Sequence, residues 1–308
     1  MNVARTPIKL LPDETFIKLE HLQLGGSHKA RAARRVIAAA EAEGALKRDG
    51  KHLIIEKSGG NFGLGLATYA VPCGYPVKLV VRPAFSAYRR YLLAQLGADL
   101  IGRKEMASGC SNKEIIDLHM ASYRHMGLVP FFTDQFNNQA CIEAHEEGAS
   151  EYVSQLIECG VSPEETISLV KCVGSGASLC AYERIFRRTF SKVRVVVVQP
   201  KGCDFKTQTF VDHPFEGAAV GLTPPFFTRP KLDDFITIEH ADALTACAEL
   251  FATAGIFAGR TTGLAFAAAK SLRTRGSGPI VILAYDGGEA YAADAFRRCG
   301  DSDATCSV

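Results

Sequence analysis

Ile167-Ser168-Leu169-Val170-Lys171-Cys172-Val173-Gly174-Ser175-Gly176-Ala177-Ser178 runs from a short β-rich stretch into a glycine turn, and a helical pattern from Ser178 to Thr189 follows at once. A strand that ends in a turn and opens a helix is the repeating joint of a parallel α/β sheet. The same joint recurs upstream, where Leu53 to Glu56 leads through Ser58-Gly59-Gly60-Asn61-Phe62-Gly63 into a helical pattern from Asn61 to Val71. Outward from these two joints, β-rich runs at 77–81, 99–101, 129–131, 194–199 and 279–284 alternate with helical patterns at 29–42, 86–96, 112–126, 140–156, 241–253, 262–273 and 289–298. The order reads βα throughout. The expected fold class is α/β, with two lobes that are each a mostly parallel twisted sheet covered by helices. A division near residue 140 gives a smaller lobe of residues 35–140 and a larger one of 1–34 with 141–308. One long irregular stretch, Lys201 to Leu232, is rich in Pro and Phe, and loops of that length in compact domains are usually active-site walls or lids.

With 308 residues, 47% of them apolar, the chain has ample material for a large core. Its formal charge of +2 is spread without basic blocks, so neither nucleic acid nor a membrane surface is expected as partner. Pro7, Pro12 and Glu14 interrupt the N-terminal region, which therefore lacks the apolar core of a secretory leader, and no later run approaches membrane-spanning length. A soluble, cytoplasmic protein is expected. Ten cysteines show no CxxC spacing and are expected to stay reduced, most as small buried hydrophobes. Eight histidines never fall into a metal-ligand spacing, so no metal site is expected.

Both glycine turns fall at the carboxyl ends of strands, where ligands sit in open α/β sheets. Backbone N–H groups in such a turn converge on an anion, and the helix behind adds its positive end. Gly174 to Ser178 fits that use, although a plain tight βα connection reads the same way. The turn matches neither GxGxxG nor the GxxxxGK[ST] loop, which makes a nucleotide the weaker guess. A third segment, Gly25-Gly26-Ser27-His28-Lys29-Ala30-Arg31-Ala32-Ala33, places Lys29 where a helix starts among small apolar residues. Desolvation there lowers an amine's pKa and favours condensation with a carbonyl. A surface lysine opening a helix is the competing reading.

The segment around Lys29 resembles the Schiff-base segment of the cysteine synthase (O-acetylserine sulfhydrylase) and cystathionine β-synthase family. Thr6-Pro7-Ile8-Lys9-Leu10 resembles the family's opening Thr-Pro-Leu, and Ser58 to Gly63 its Thr-Ser-Gly-Asn-Thr-Gly loop. Asp134-Gln135-Phe136-Asn137-Asn138 is similar to its Gln-Phe-x-Asn, and Val173 to Leu179 to its Val-Gly-Thr-Gly-Gly-Thr-Leu. Glu216-Gly217 with Gly221 and Pro224, the run Gly255 to Gly263, and Gly288-Glu289-Ala290-Tyr291 resemble three further family segments, in order and at family-like spacing.

The resemblance implies a tryptophan synthase β-like fold (fold type II) and pyridoxal 5′-phosphate as cofactor, held mainly by the larger lobe. Lys29 would form the Schiff base and later shuttle the Cα proton. Asn61 would meet the ring's phenolic oxygen, Gly174, Ser175, Gly176, Ala177 and Ser178 would hold the phosphate, and Thr261 would face the pyridine nitrogen. A hydroxyl there makes the ring a milder electron sink than an aspartate would. Ser58, Gly59, Gly60, Phe62 and Gln135 would bind the amino-acid substrate. Gly59 and Phe62 replace a serine and a threonine of the family pattern, so two carboxylate-binding hydroxyls are gone, and Phe62 is expected to narrow the pocket or stack on a larger substrate. Gly59 also stands where related serine racemases place an opposite-face base, which disfavours racemisation. Asp286 is either an acceptor near the ring or a capping residue before Gly287-Gly288. The implied reaction is β-replacement on O-acetyl- or O-phospho-L-serine through an aminoacrylate, giving cysteine or a related amino acid. Its rivals are a β-eliminating lyase releasing pyruvate and ammonia, and a non-catalytic cofactor-binding partner subunit. A homodimer is the implied assembly.

Overall fold

Val193 and Val195 to Val198 are all buried, so the strand that carries them turns neither face to water. Strands covered on both faces belong to parallel sheets whose crossover helices pack above and below. The protein is seen in a computed structural model that describes residues 4–83, 86–276 and 278–291. The chain opens with strands β1 (Ile8–Leu10) and β2 (Thr15–Lys18) and helix α1 (Lys29–Ala42). Next come β3 (His52–Glu56), α2 (Asn61–Ala70), β4 (Val77–Val80), α3 (Ala87–Gln95), β5 (Ala98–Ile101), α4 (Arg103–Ala107), α5 (Asn112–His125) and β6 (Val129–Phe132). The second half holds α6 (Gln139–Glu158), β7 (Thr166–Cys172), α7 (Ala177–Thr189), β8 (Lys192–Pro200), β9 (Asp234–Ile238), α8 (His240–Ala254), α9 (Arg260–Arg273) and β10 (Ile280–Leu283).

Strands β5-β4-β3-β6 form one sheet, parallel throughout, with Ile54 paired to Val77 and to Phe131. The other sheet has the order β1-β2-β10-β7-β8-β9 and is parallel except at β1. The α/β class and the two parallel sheets agree with expectation. The βα order does not hold at the start, where β1 and β2 form an antiparallel hairpin. Its turn is built from Pro12-Asp13-Glu14: the Asp13 carboxylate accepts from Thr15 N at 3.1 Å, and Glu14 takes a φ of 58°. Strand β9 and the short α4 also lie where no element was expected. Of the helical pattern at 289–298, Glu289–Tyr291 forms a 3-10 turn, and the rest lies outside the described residues.

Helix α1 is alanine-rich and packs on α2 and α6. The α1–α2 approach is backbone to backbone, because a Cβ on Gly65 would stand 2.9 Å from Ala33 Cβ and 3.2 Å from Ala30 Cα. Only glycine permits it. The N-terminal segment is fastened to this helix by a buried charge network. Arg31 donates to both Glu20 oxygens, at 2.7 and 2.8 Å, and to Glu151 at 3.1 Å. Lys18, fully buried, donates to Thr6 O and Gln155 Oε1, each at 2.6 Å, and to Glu151. Five cysteines, Cys141, Cys172, Cys180, Cys203 and Cys247, are buried and unbridged. Among the described residues no helix is long and apolar enough to cross a membrane.

Removing one partner of a buried, fully hydrogen-bonded ion pair strands the other charge, at a cost of about 3–5 kcal/mol. Glu20→Ala is therefore expected to lower the unfolding free energy by about that much. Urea titration of the purified variant measures it, and an unchanged midpoint would show that the Arg31 pair does not secure the N-terminal strands.

Candidate active site

The carboxyl ends of β3, β6, β7 and β10 converge on one cleft between the sheets, the position that parallel topology reserves for ligands. Lys29, at the first turn of α1, is placed by a short ladder between the residues before it and those after β10. His28 N donates to Tyr285 O at 2.9 Å, Gly287 N donates to Gly26 O at 3.3 Å, and Ser27 bridges Asp286. Tyr285 extends the ladder in two further directions. Its N–H donates to Thr262 Oγ1 at 3.1 Å, and its hydroxyl accepts from Cys172 N at 2.9 Å. One residue thus ties together the segments bearing Lys29, Thr261 and the turn that begins at Gly174.

That turn enters α7 with Gly176 at φ 85°, and a Cβ there would lie 3.0 Å from both Phe226 Cβ and Phe227 N. A side chain is thus excluded by conformation and by contact. A Cβ on Gly174 would come within 3.0 Å of Gly217 O. The Lys201–Leu232 stretch accordingly forms a wall of the cleft, with Glu216, Gly217 and Val220 on its lining. Ser175 Oγ accepts from Lys29 Nζ at 3.1 Å. The amine and the anion-type turn, 146 residues apart in sequence, are therefore in contact. Burial lowers the Lys29 pKa, with Cys141 and Glu56 acting in the other direction.

Across the cleft, Asn61 is held at both ends of its amide. Its Oδ1 accepts from Arg89 Nη1 at 2.6 Å and its Nδ2 donates to Asp286 Oδ2 at 2.8 Å. Arg89 also donates to Tyr291 Oη at 2.6 Å, and its Nε stands 3.1 Å from Glu216 Oε2. The Asn61–Arg89–Asp286 group is the partition between the cleft and a second hollow lined by Gly25, Thr68, Tyr88 and Leu92. Asp286, open between two readings in the sequence, is an acceptor in the cleft wall. Below the substrate-type loop, Glu56 is fully buried; its Oε2 accepts from Thr133 Oγ1 and from Gln135 N, so one carboxylate spaces the 58–62 and 133–135 segments. Burial raises its pKa.

Among the expected site residues, Lys29, Ser58, Gly59, Gly60, Asn61 and Phe62 line the cleft. So do Gln135, Gly174, Ser175, Gly176, Ser178 and Thr261. Ala177 does not; its methyl is buried in the core between helices. Phe62 is only 2% exposed and packs in that same core, so its ring has little surface with which to stack on a substrate. The hydroxyl of Ser58 is already engaged, accepting from Gly63 N at 3.2 Å. Arg89 and Lys171 were not foreseen. Arg89 lies on an ordinary amphipathic helix and carries no local signal. Lys171 does carry one, as the single charged residue in the strand Thr166–Cys172.

Residues 1–286 match the family described as pyridoxal-phosphate dependent enzyme. A probable cysteine synthase of Bacillus subtilis is 30% identical over 285 residues, which cover 90% of this chain and 88% of the relative. The O-ureido-L-serine synthase of Streptomyces lavendulae is 29% identical over 300 residues, 94% of this chain and 89% of the relative. A crystal structure of O-ureido-L-serine synthase superposes with a TM-score of 0.84 at 28% identity, covering 97% of this chain and 95% of that one.

Burial raises the Glu216 pKa, and the Arg89 guanidinium opposes the rise. Arg89→Met removes that opposition, so the Glu216 carboxyl is expected to hold its proton to a higher pH than in the parent protein. Carbon-13 titration of the glutamate carboxyls detects the change. A curve that stays put or moves to lower pH would mean that the two groups are not coupled.

Proposed function

The chain belongs to the family of pyridoxal-phosphate dependent enzymes, and on that premise we propose that it replaces the β-substituent of an activated L-serine, such as the O-acetyl or O-phospho ester, by a nucleophile. The product is cysteine or a related β-substituted amino acid. Both relatives support the reading, being named for products with a heteroatom on the alanine Cβ: sulfur in cysteine and oxygen in O-ureidoserine. The observation that carries it is the 3.1 Å contact between Lys29 Nζ and Ser175 Oγ. An amine available to a carbonyl and a turn suited to a phosphate are thus brought to the same cleft, within direct reach of each other.

When bound, pyridoxal phosphate supplies a conjugated electron sink that acidifies the Cα of an amino acid and allows a β-substituent to depart. The residues present fit it. In this proposal the Lys29 amine would hold the cofactor's carbonyl end and would serve as the base for the substrate's Cα proton. Its lowered pKa serves both roles, since only the neutral amine attacks a carbonyl or accepts a proton. The amides from Gly174 to Ala177, the Ser175 and Ser178 hydroxyls and the positive end of α7 hold the phosphate. Asn61, fixed between Arg89 and Asp286, would hold the ring at its phenolic oxygen, and Thr261 would offer its hydroxyl to the pyridine nitrogen.

The substrate carboxylate is assigned to the N-terminus of α2, through the amides of Gly59, Gly60, Asn61 and Phe62, with Gln135 beside them. Ser58 shapes this loop through its bond to Gly63 N, and Phe62 contributes its N–H in place of its ring. The proposal keeps the two-lobe division at residues 35–140, supported by the confinement of β3 to β6 to one sheet. It extends to a cytosolic homodimer, the assembly that the family resemblance implies.

Mixing the purified protein with O-acetyl- or O-phospho-L-serine, with and without sulfide or an amine, and identifying products by mass spectrometry tests the reaction. A β-substituted amino acid is expected, formed at least about a hundredfold more slowly by Lys29→Ala. Pyruvate as the sole product in the presence of every acceptor would replace this reading with β-elimination. Turnover unaffected by Lys29→Ala would end both.

A further inference from the structure

Lys171 lies on β7, next to Cys172 and three residues before the glycine turn, and has no exposed surface. No other residue of its strand is charged, and a buried amine there forfeits hydration that a leucine or methionine would not miss. No carboxylate stands within ion-pair distance of it among the described residues. What it does touch is Ser178, whose Oγ accepts from Lys171 Nζ at 2.7 Å. Ser178 is the second residue of α7 and lines the cleft, so the lysine stands directly behind the phosphate-type turn. The faces of Tyr182 and Tyr285 lie 4.0 and 5.2 Å from the nitrogen and suit a cation.

We propose that Lys171 anchors the cofactor's phosphate monoester from behind the loop: its amine takes up a proton from solvent as the dianion arrives and acts, as the ammonium, through the Ser178 hydroxyl. The inference rests on the phosphate lying at Gly174 to Ser178. The groups around the amine make the uptake conditional on that anion. Burial pushes Lys171 down to about 7; Lys29 adds to this, while Cys172 and Glu20 oppose it. His28, at the start of α1, and His145, on α6, are buried and stacked on one another at 5.3 Å. Burial lowers both, with Lys29 and Lys171 adding to the effect and Arg31 of α1 acting in the same sense. The pocket floor thus holds several nitrogens that repel one another's protons, and a dianion in front of them reverses the balance. Lys171 is a positioning and charge-balancing residue, not one that meets the reacting atoms.

Full-length protein freed of cofactor is titrated with pyridoxal phosphate and, separately, with pyridoxal, which has the aldehyde but no phosphate. Lys171→Met is expected to weaken pyridoxal phosphate by about tenfold or more and to leave pyridoxal unchanged. Calorimetry in buffers of different ionisation enthalpy gives the proton count. At pH 8 the amine is mostly neutral in the free protein, so the wild type is expected to take up about one proton more than Lys171→Met. At pH 6 it is already charged and the difference vanishes. Lys171→Gln, which keeps a polar end toward Ser178 but carries no charge, serves if Lys171→Met does not fold; it is expected to reproduce both the selective loss and the missing proton. Equal affinities for pyridoxal phosphate in variant and wild type would overturn the inference, as would equal losses for both ligands or an unchanged proton count. A wild type that binds neither ligand would instead overturn the placement of the cofactor in this cleft.

Discussion

Tyr285 stands at the junction on which the rest of the site depends. Its carbonyl accepts from the residue before Lys29, its amide donates to the residue after Thr261, and its hydroxyl accepts from the last residue of β7. Each contact is an ordinary hydrogen bond. Together they confine three segments, from the two ends and the middle of the chain, to one rigid frame, and buried polar groups satisfied on every side tolerate little displacement. The reach of Lys29 to Ser175 follows from that frame rather than from any direct attraction between the two residues.

Around the frame, the cleft has two unlike walls. The wall of β7, β10 and α9 is backbone-rich, and its glycines bring main chains into contact at Gly174 and Gly217. Across from it, Asn61 depends on side chains, with Arg89 reaching from α3 to Asn61, to Asp286 after β10 and to Glu216 beside Gly217. Geometry is imposed by main chain at Gly174 and by side-chain charge pairs around Asn61. A change of protonation therefore acts first on the side that holds Asn61.

Much of this was readable in the sequence because the informative residues are local. The start of α1 at Lys29 and the joints at β3–α2 and β7–α7 were visible from glycine punctuation and from the change of apolar period, and α1 occupies the stretch read for it. The hairpin β1–β2 was hidden because its two short strands break the βα order and because β2 is held in the sheet by β10, distant in sequence. Arg89 was hidden for a similar reason. Its partners lie 28, 197 and 202 positions away, and nothing in the sequence of its own helix distinguishes it from Arg90 beside it. Phe62 shows the converse: its residue type suggested a role in the cleft, while packing committed its ring to the core.

The parallel pairing of β2 with β10 has a consequence for biosynthesis. Ile17 finds its partner in Ile282, so the larger sheet cannot close until β10 has left the ribosome. Contacts of such high order form slowly, and the entropy of closing so long a loop is lost before they return anything. The sheet β5-β4-β3-β6 draws its strands from a continuous central stretch and has no such wait. The residues before Lys29 pair with those that follow β10, so a nascent chain holds Lys29 unplaced until that strand has been made.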